Sequence, residues 1–185
     1  MQPHWFLALP VPAEHWFAER VVAHPMPQVR LFAAEDLHLT VAFLGAVSES
    51  AARAAWAERL AWESPLARVT LGSVIGMGPP AHFSALSALL EEGRETVERG
   101  MRQCRDRMLA AAEVAREERP IKAHVTLGRP LRSATLAQRS AALAWAMHLP
   151  LRGVEVRLSE MALYSGAEDR SVRQFQIHAR APLTV

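Results

Sequence analysis

The pattern His, aliphatic, Thr, aliphatic occurs twice in this chain, at His38-Leu39-Thr40-Val41 and at His124-Val125-Thr126-Leu127. Both copies sit in short apolar runs, Leu37 to Leu44 and Ile121 to Gly128, that read as β-strands ended by glycine. Side chains alternate across a strand. His38 and Thr40 therefore share one face while Leu39 and Val41 share the other, and His124 and Thr126 oppose Val125 and Leu127 in the same way. Each strand must bury its aliphatic face and keep an imidazole beside a hydroxyl on the open one. With 8 His and 6 Thr in 185 residues, about 0.26 His-x-Thr triplets are expected by chance. One copy could be accidental; two in matched strand context constrain the fold.

The rest of the chain fills in around these strands. Trp5 to Leu9, closed by Pro10, predicts a buried strand, and a helix is expected over about 12–24. Ser48 is placed to cap a helix running to about residue 62, with Ala52, Trp56 and Leu60 on one face. Arg68 to Ile75 predicts a strand stopped by Gly76-Met77-Gly78-Pro79-Pro80, followed by another at His82 to Leu86. The stripe Val97, Met101, Cys104, Met108 predicts a long amphipathic helix over about 89–118, interrupted near Gly100. Ser133 or Thr135 starts a helix over about 135–147, and runs at 153–164 and 171–180 are expected to form a hairpin. Strands and helices alternate, yet several strands are joined by short turns. The fold class expected is α+β with largely antiparallel sheet. No linker divides the chain, so residues 1–185 are expected to form one domain.

Composition narrows the function. No apolar run approaches the ~18 residues that span a bilayer, and no cationic leader precedes an apolar segment, so a cytoplasmic protein without membrane contact is expected. The single cysteine, Cys104, excludes an intrachain disulfide and a multi-thiolate zinc site, and is expected to be a small buried residue. Positive charge is uneven. Residues 1–119 hold 12 Arg against 15 Asp and Glu, net −3, whereas residues 120–185 hold 9 Lys and Arg against 4 Asp and Glu, net +5. The C-terminal third is the part that would attract phosphate.

Two imidazoles and two hydroxyls around one small anion suit phosphodiester cleavage. In-line attack needs a base for the incoming water and an acid for the departing alkoxide, on opposite sides of phosphorus. Imidazole titrates near neutrality, so one ring can accept a proton while the other gives one. Thr40 and Thr126 could donate to the non-bridging oxygens, where charge must be stabilised. No metal or cofactor is needed by this scheme, and no His-Glu-x-x-His, paired cysteines or acidic cluster beyond Glu35-Asp36 offers a metal site.

These residues resemble the 2H phosphoesterases, and within them the bacterial and archaeal RNA 2′,3′-cyclic phosphodiesterases historically called 2′-5′ RNA ligases. The resemblance rests on both motifs, on the opening Phe6-Leu7-Ala8-Leu9-Pro10-Val11-Pro12, on Leu37 through Gly45, and on Leu163-Tyr164-Ser165, so it spans nearly the whole chain. It implies a bilobal, pseudo-two-fold duplicated fold in which two antiparallel sheets form a V-shaped cleft with helices on the outer faces. It also implies cofactor-independent hydrolysis of an RNA 2′,3′-cyclic phosphate to a 2′-phosphomonoester, with weak reverse ligation accessible by microscopic reversibility. By analogy His38 is the proton donor and His124 the proton acceptor, although near-symmetry makes the roles interchangeable on paper. Arg129 falls where the family has an arginine near the phosphate. One departure stands out: Arg119-Pro120-Ile121-Lys122-Ala123-His124 lacks the family's Phe-x-Pro-His approach. An aromatic to stack a base must then come from elsewhere, with Phe83, Tyr164 and Phe43 as candidates, Phe43 being expected on the core face with Val41.

Two further readings are kept. One is a phosphodiesterase on a small cyclic nucleotide, an ADP-ribose cyclic phosphate or a 2′-5′ oligonucleotide, working as a monomer on the same cleft. The other is an RNA-end-binding module whose histidines hold phosphate without catalysis, and simple binding would show no turnover.

Overall fold

The structure, a computed structural model, describes residues 3–65, 67–169 and 173–183. Among the described residues nine strands form two wholly antiparallel sheets. The strands are β1 (Trp5–Pro10), β2 (Val29–Leu31), β3 (His38–Gly45), β4 (Ala67–Met77), β5 (Ala85–Leu90), β6 (His124–Pro130), β7 (Glu155–Leu158), β8 (Glu160–Gly166) and β9 (Phe175–Pro182). The first sheet has the order β3-β1-β8-β9 and the second β2-β6-β5-β4-β7. Leaving aside the short β2, the motif strand leads each sheet, β3 in one and β6 in the other. This is the α+β class with antiparallel sheet read from the sequence, in the duplicated two-lobed form that the family resemblance implied.

The α-helices of the described residues are α1 (Glu49–Ala57), α2 (Arg94–Ala111) and α3 (Leu136–Met147). Ser48 caps α1 as expected, its Oγ accepting from the Ala51 amide at 3.2 Å. Thr135 opens α3 with a reciprocal capping box: its hydroxyl accepts from the Gln138 amide and the Gln138 side chain accepts from its own. The stripe foreseen on α2, Val97, Met101, Cys104 and Met108, is fully buried. The main apolar core takes in residues of both sheets and the inner faces of α1, α2 and α3, and a smaller cluster of Phe6, Ala8, Ala162 and Tyr164 lies apart from it on the first sheet. Among the described residues no helix is long and apolar enough to cross a membrane.

Several expectations are corrected. Only Ala18–Val22 of the 12–24 stretch forms a regular helical turn. Trp16 is tied back to the Pro12 carbonyl, and Pro25 ends the segment. Leu60 is 80% exposed rather than aligned with Ala52, because the chain tightens into a 3₁₀ turn at Glu58–Ala61 and rotates it off the buried face. The strand expected at 82–86 is β5, displaced toward 90, so Leu89 and Leu90 are strand and α2 begins only after Gly93. Gly93 has φ +74, and a Cβ there would lie 2.4 Å from the Arg68 carbonyl oxygen. Gly100 does not interrupt α2; it lets the helix lie against Trp62, whose ring is 2.5 Å from where a Cβ would stand. The run 153–164 is split at Ser159 between the sheets, β7 closing the second and β8 pairing with β1 and β9 in the first. Only the β8–β9 part of the expected hairpin exists, and residues 171 and 172 of that expectation lie outside the described residues.

Candidate active site

The motif strands β3 and β6 belong to different sheets yet run against one another. Leu39, Val41, Val125 and Leu127 are buried in the common core, as alternation demands. Each strand then carries a β-bulge at the same place. In β3, Thr40 pairs with Ala8 and Ala42 with Leu7, leaving Val41 as the extra residue. In β6, Thr126 pairs with Ser87 and Gly128 with Leu86, leaving Leu127 as the extra residue. Both bulges fall three residues after the histidine and reset the alternation. The next outward side chains are Phe43 and Arg129, each five residues past its histidine. Phe43 is consequently 51% exposed, which corrects its expected place on the core face.

Both histidines are held alike. The Nδ1–H of His38 donates to the Asp36 carbonyl at 2.7 Å, and that of His124 donates to the Lys122 carbonyl at 2.7 Å. A carbonyl only accepts, so each Nδ1 carries the hydrogen and each Nε2 is left with its lone pair as an acceptor. Short backbone leashes to residue i−2 thus fix tautomer and ring orientation in both motifs.

The two rings differ in surroundings. His38 is buried against aromatic rings, with centroids 4.8 Å to Phe6, 5.0 Å to Phe175 and 5.3 Å to Tyr164. Burial, reinforced by the charges of His124 and Arg129, lowers its pKa from 6.5 to about 4, against the opposing pull of the Asp36 carbonyl. His124 is half-buried, and its pKa is also lowered, first by burial and then by the charge of Lys122. Both rings, His38 as the expected proton donor included, are therefore harder to protonate in the free protein than an imidazole in water.

Three supporting residues went unnoticed in the sequence. Asp36 is 1% exposed and accepts from the Gln174 amide at 2.7 Å, with Arg173 Nε at 3.7 Å, which fastens the carbonyl that holds His38 to the start of β9. Ser87, fully buried, lies across from Thr126 with its Oγ 3.1 Å from the threonine hydroxyl. Thr40 faces Ala8 in the equivalent place and has no such brace. Glu98 of α2 accepts from the Ala123 amide at 3.2 Å, anchoring the approach to His124 where the family's aromatic and proline are missing. A hydrogen-bonded serine on the strand next to a His-x-Thr strand was a signal the sequence could have given, had the β5–β6 register been known.

The remaining expected residues divide. Arg129 lies beside the pair: it acts electrostatically on His38 and its guanidinium stands 5.9 Å from the Phe32 ring. Tyr164 is 1% exposed and stacks on Phe6 at 4.9 Å, so it forms the floor under His38. Phe83 is 1% exposed and packs on Gly76, leaving its ring no free face for a base. Phe43 is the candidate aromatic with an open face. Among the described residues no three His, Cys, Asp or Glu side chains converge to hold a metal ion.

No family model and no curated protein matches the chain. Solved structures do. Escherichia coli LigT, crystallised with 3′-AMP, superposes with TM-score 0.71 at 24% identity over 100% of both chains. TT0787 of Thermus thermophilus gives 0.67 at 22% over 97% of each, and Usb1 of Kluyveromyces marxianus gives 0.61 at 15% over 97% of this chain and 98% of that one. The likeness runs the length of the chain and includes both motif strands, so its fold is that of LigT, in line with the two-sheet fold that the family resemblance implied.

Proposed function

We propose that this protein hydrolyses RNA 2′,3′-cyclic phosphate ends to 2′-phosphomonoesters by two-histidine acid–base catalysis that needs no metal. The observation that carries the reading is the matched pair of leashes and bulges, which present His38 Nε2, His124 Nε2, Thr40 and Thr126 from two facing strands. A symmetric pair of fixed imidazoles is what in-line displacement at phosphorus requires.

In the proposed step, His124 Nε2 takes a proton from water as its oxygen attacks phosphorus. The bond from phosphorus to the 3′-oxygen breaks, and His38 Nε2–H protonates that oxygen. The products are a 2′-phosphomonoester and a free 3′-hydroxyl. The threonine hydroxyls and Arg129 donate to the non-bridging oxygens as charge grows there. The free protein holds His38 neutral, so the substrate must help to load its proton. A phosphate anion beside the ring and against Arg129 offsets two of the three depressing influences. Burial remains, and a weakly held proton is readily surrendered to an alkoxide.

A second reading, a small cyclic nucleotide as substrate, draws support from LigT having been crystallised with ATP and with NADP+ as well as 3′-AMP. The test is to incubate EDTA-treated protein with a short RNA ending in a 2′,3′-cyclic phosphate and to locate the phosphate on the product. Wild type should yield the 2′-phosphate, and His38→Ala or His124→Ala should each lose about 10² to 10⁴ in rate. Turnover of a cyclic mononucleotide alone would transfer the reading to the second substrate class. Binding of RNA ends without turnover would leave a phosphate-holding module.

A further inference from the structure

At the Arg129 end of β6 the chain opens a cavity of about 490 Å³ whose charged lining is all basic. Arg30, Arg129, Arg132, Arg139 and His82 line it, and no carboxylate does. Its register is unusual: Arg30 of β2 and Arg129 of β6 are direct cross-strand partners. Like charges set opposite one another on neighbouring strands repel. The repulsion is visible in Arg129, whose pKa is lowered by burial and by the charge of Arg30. Neutralisation from within the protein is missing too, since among the described residues none of these four arginines has a carboxylate within 4.0 Å, whereas Arg53, Arg105, Arg107 and Arg180 each have one. Arg139 is held in place, donating to the Phe83 carbonyl at 3.0 Å and the Leu131 carbonyl at 3.4 Å. A cross-strand arginine pair with no carboxylate to balance it gains from any anion that enters between the two.

The cavity is joined to the reaction centre at two points. Arg129 lines it and acts on His38, and Gln174 lines it while its amide is bonded to Asp36. An anion held there would sit one step away from a phosphate between the histidines. We infer that the Arg30–Arg132–Arg139 cavity is a second phosphate subsite that takes the phosphodiester on the 5′ side of the terminal nucleotide, so that the substrate is the end of an RNA strand. This rests on the function proposed above and adds to it: the reacting phosphate lies between His38 and His124, and the next phosphate along the chain lies among the arginines.

The test compares three substrates with wild type and with the Arg30→Ala/Arg132→Ala double variant, both positions being exposed. The substrates are a 2′,3′-cyclic mononucleotide with a free 5′-hydroxyl, the same nucleotide with a 5′-phosphate, and a hexanucleotide ending in a 2′,3′-cyclic phosphate. Wild type should turn over the hexanucleotide with a KM at least tenfold below that of the unphosphorylated mononucleotide, rising steeply with salt. The double variant should lose that advantage, and because the subsite neutralises one phosphate of a single strand, the slope of log KM against log salt should fall by about 0.7. Turnover of the unphosphorylated mononucleotide should change less than twofold. Equal losses on all three substrates, or no loss on the hexanucleotide, would overturn the subsite. If the 5′-phosphate alone confers the full advantage, the cavity holds a terminal phosphate and the assignment to an RNA strand falls. Should no substrate be turned over, the proposed hydrolysis fails, and polarisation of a labelled hexanucleotide with a 3′-phosphate still reads the cavity. Tenfold weaker binding by the double variant would then support the subsite, and equal binding would refute it.

Discussion

Burying a neutral imidazole makes stability depend on pH in a way that isolates His38. Its pKa is about 4 in the folded protein against 6.5 in the unfolded chain. Between these values the unfolded state binds the proton and the folded state refuses it, so stability falls as the pH drops through 6.5 and the loss is complete below about 4. The whole gap amounts to about 3 kcal/mol, of which about 2 kcal/mol is already lost at pH 5. The control is His38→Asn, whose side-chain amide can still donate to the Asp36 carbonyl but does not titrate. Urea unfolding of both proteins at pH 7.5 and pH 5.0 gives the comparison. Wild type should lose about 2 kcal/mol more than the variant on acidification, while titration of the carboxylates and of His124 is common to both. Equal pH dependence in the two proteins would mean that His38 is not held neutral by the aromatic floor of Phe6, Tyr164 and Phe175, and the electrostatic account of the site would fail.

The same shifts set the rate profile. With both histidine pKa values lowered, the singly protonated pair needed for turnover becomes scarce above neutrality, so kcat/KM should fall about tenfold per unit from pH 7 to pH 9; a flat profile over that range would contradict the assignment. Ser87 and Thr126 act as one unit if the serine orients the threonine hydroxyl. Thr126→Val should reduce kcat by about 10 to 10² and Ser87→Ala by less, and the double variant should be no worse than Thr126→Val alone. Additive losses in that cycle would show that Ser87 contributes only to packing.

How much of this is legible beforehand follows from which interactions are local. The strand character of 37–44, the cap at Ser48, the cap of α3 at one of the two positions considered, Thr135, and the buried stripe of α2 all depend on residues within a few positions of each other, and there the structure agrees with the sequence; of the run 121–128 only the part from His124 onward is strand, and β6 continues to Pro130. Strand alternation likewise puts His38 beside Thr40 and His124 beside Thr126, because a period of two is a property of the backbone. That period misleads where it is extended across a bulge. Counting from Val41 assigns Phe43 to the core, and an extra residue relative to Leu7 and Ala8 turns it outward.

The doubled pattern by itself determined that two similar strands each bury an aliphatic face and turn an imidazole with a hydroxyl to the opposite one, and so determined the side chains on which the proposed chemistry rests. Tertiary structure decided everything that depends on which strand lies next to which. Pairing of β5 with β6 set Ser87 against Thr126, pairing of β2 with β6 set Arg30 against Arg129, and the fold of β9 onto the first sheet brought Gln174 to Asp36. None of these neighbours is close in sequence, and the same runs could have paired in another order without any change in local propensity. Burial of His38 is likewise a product of assembly. Phe6, Tyr164 and Phe175 come from three different strands, and only their convergence on one ring takes that imidazole out of water and moves its proton affinity.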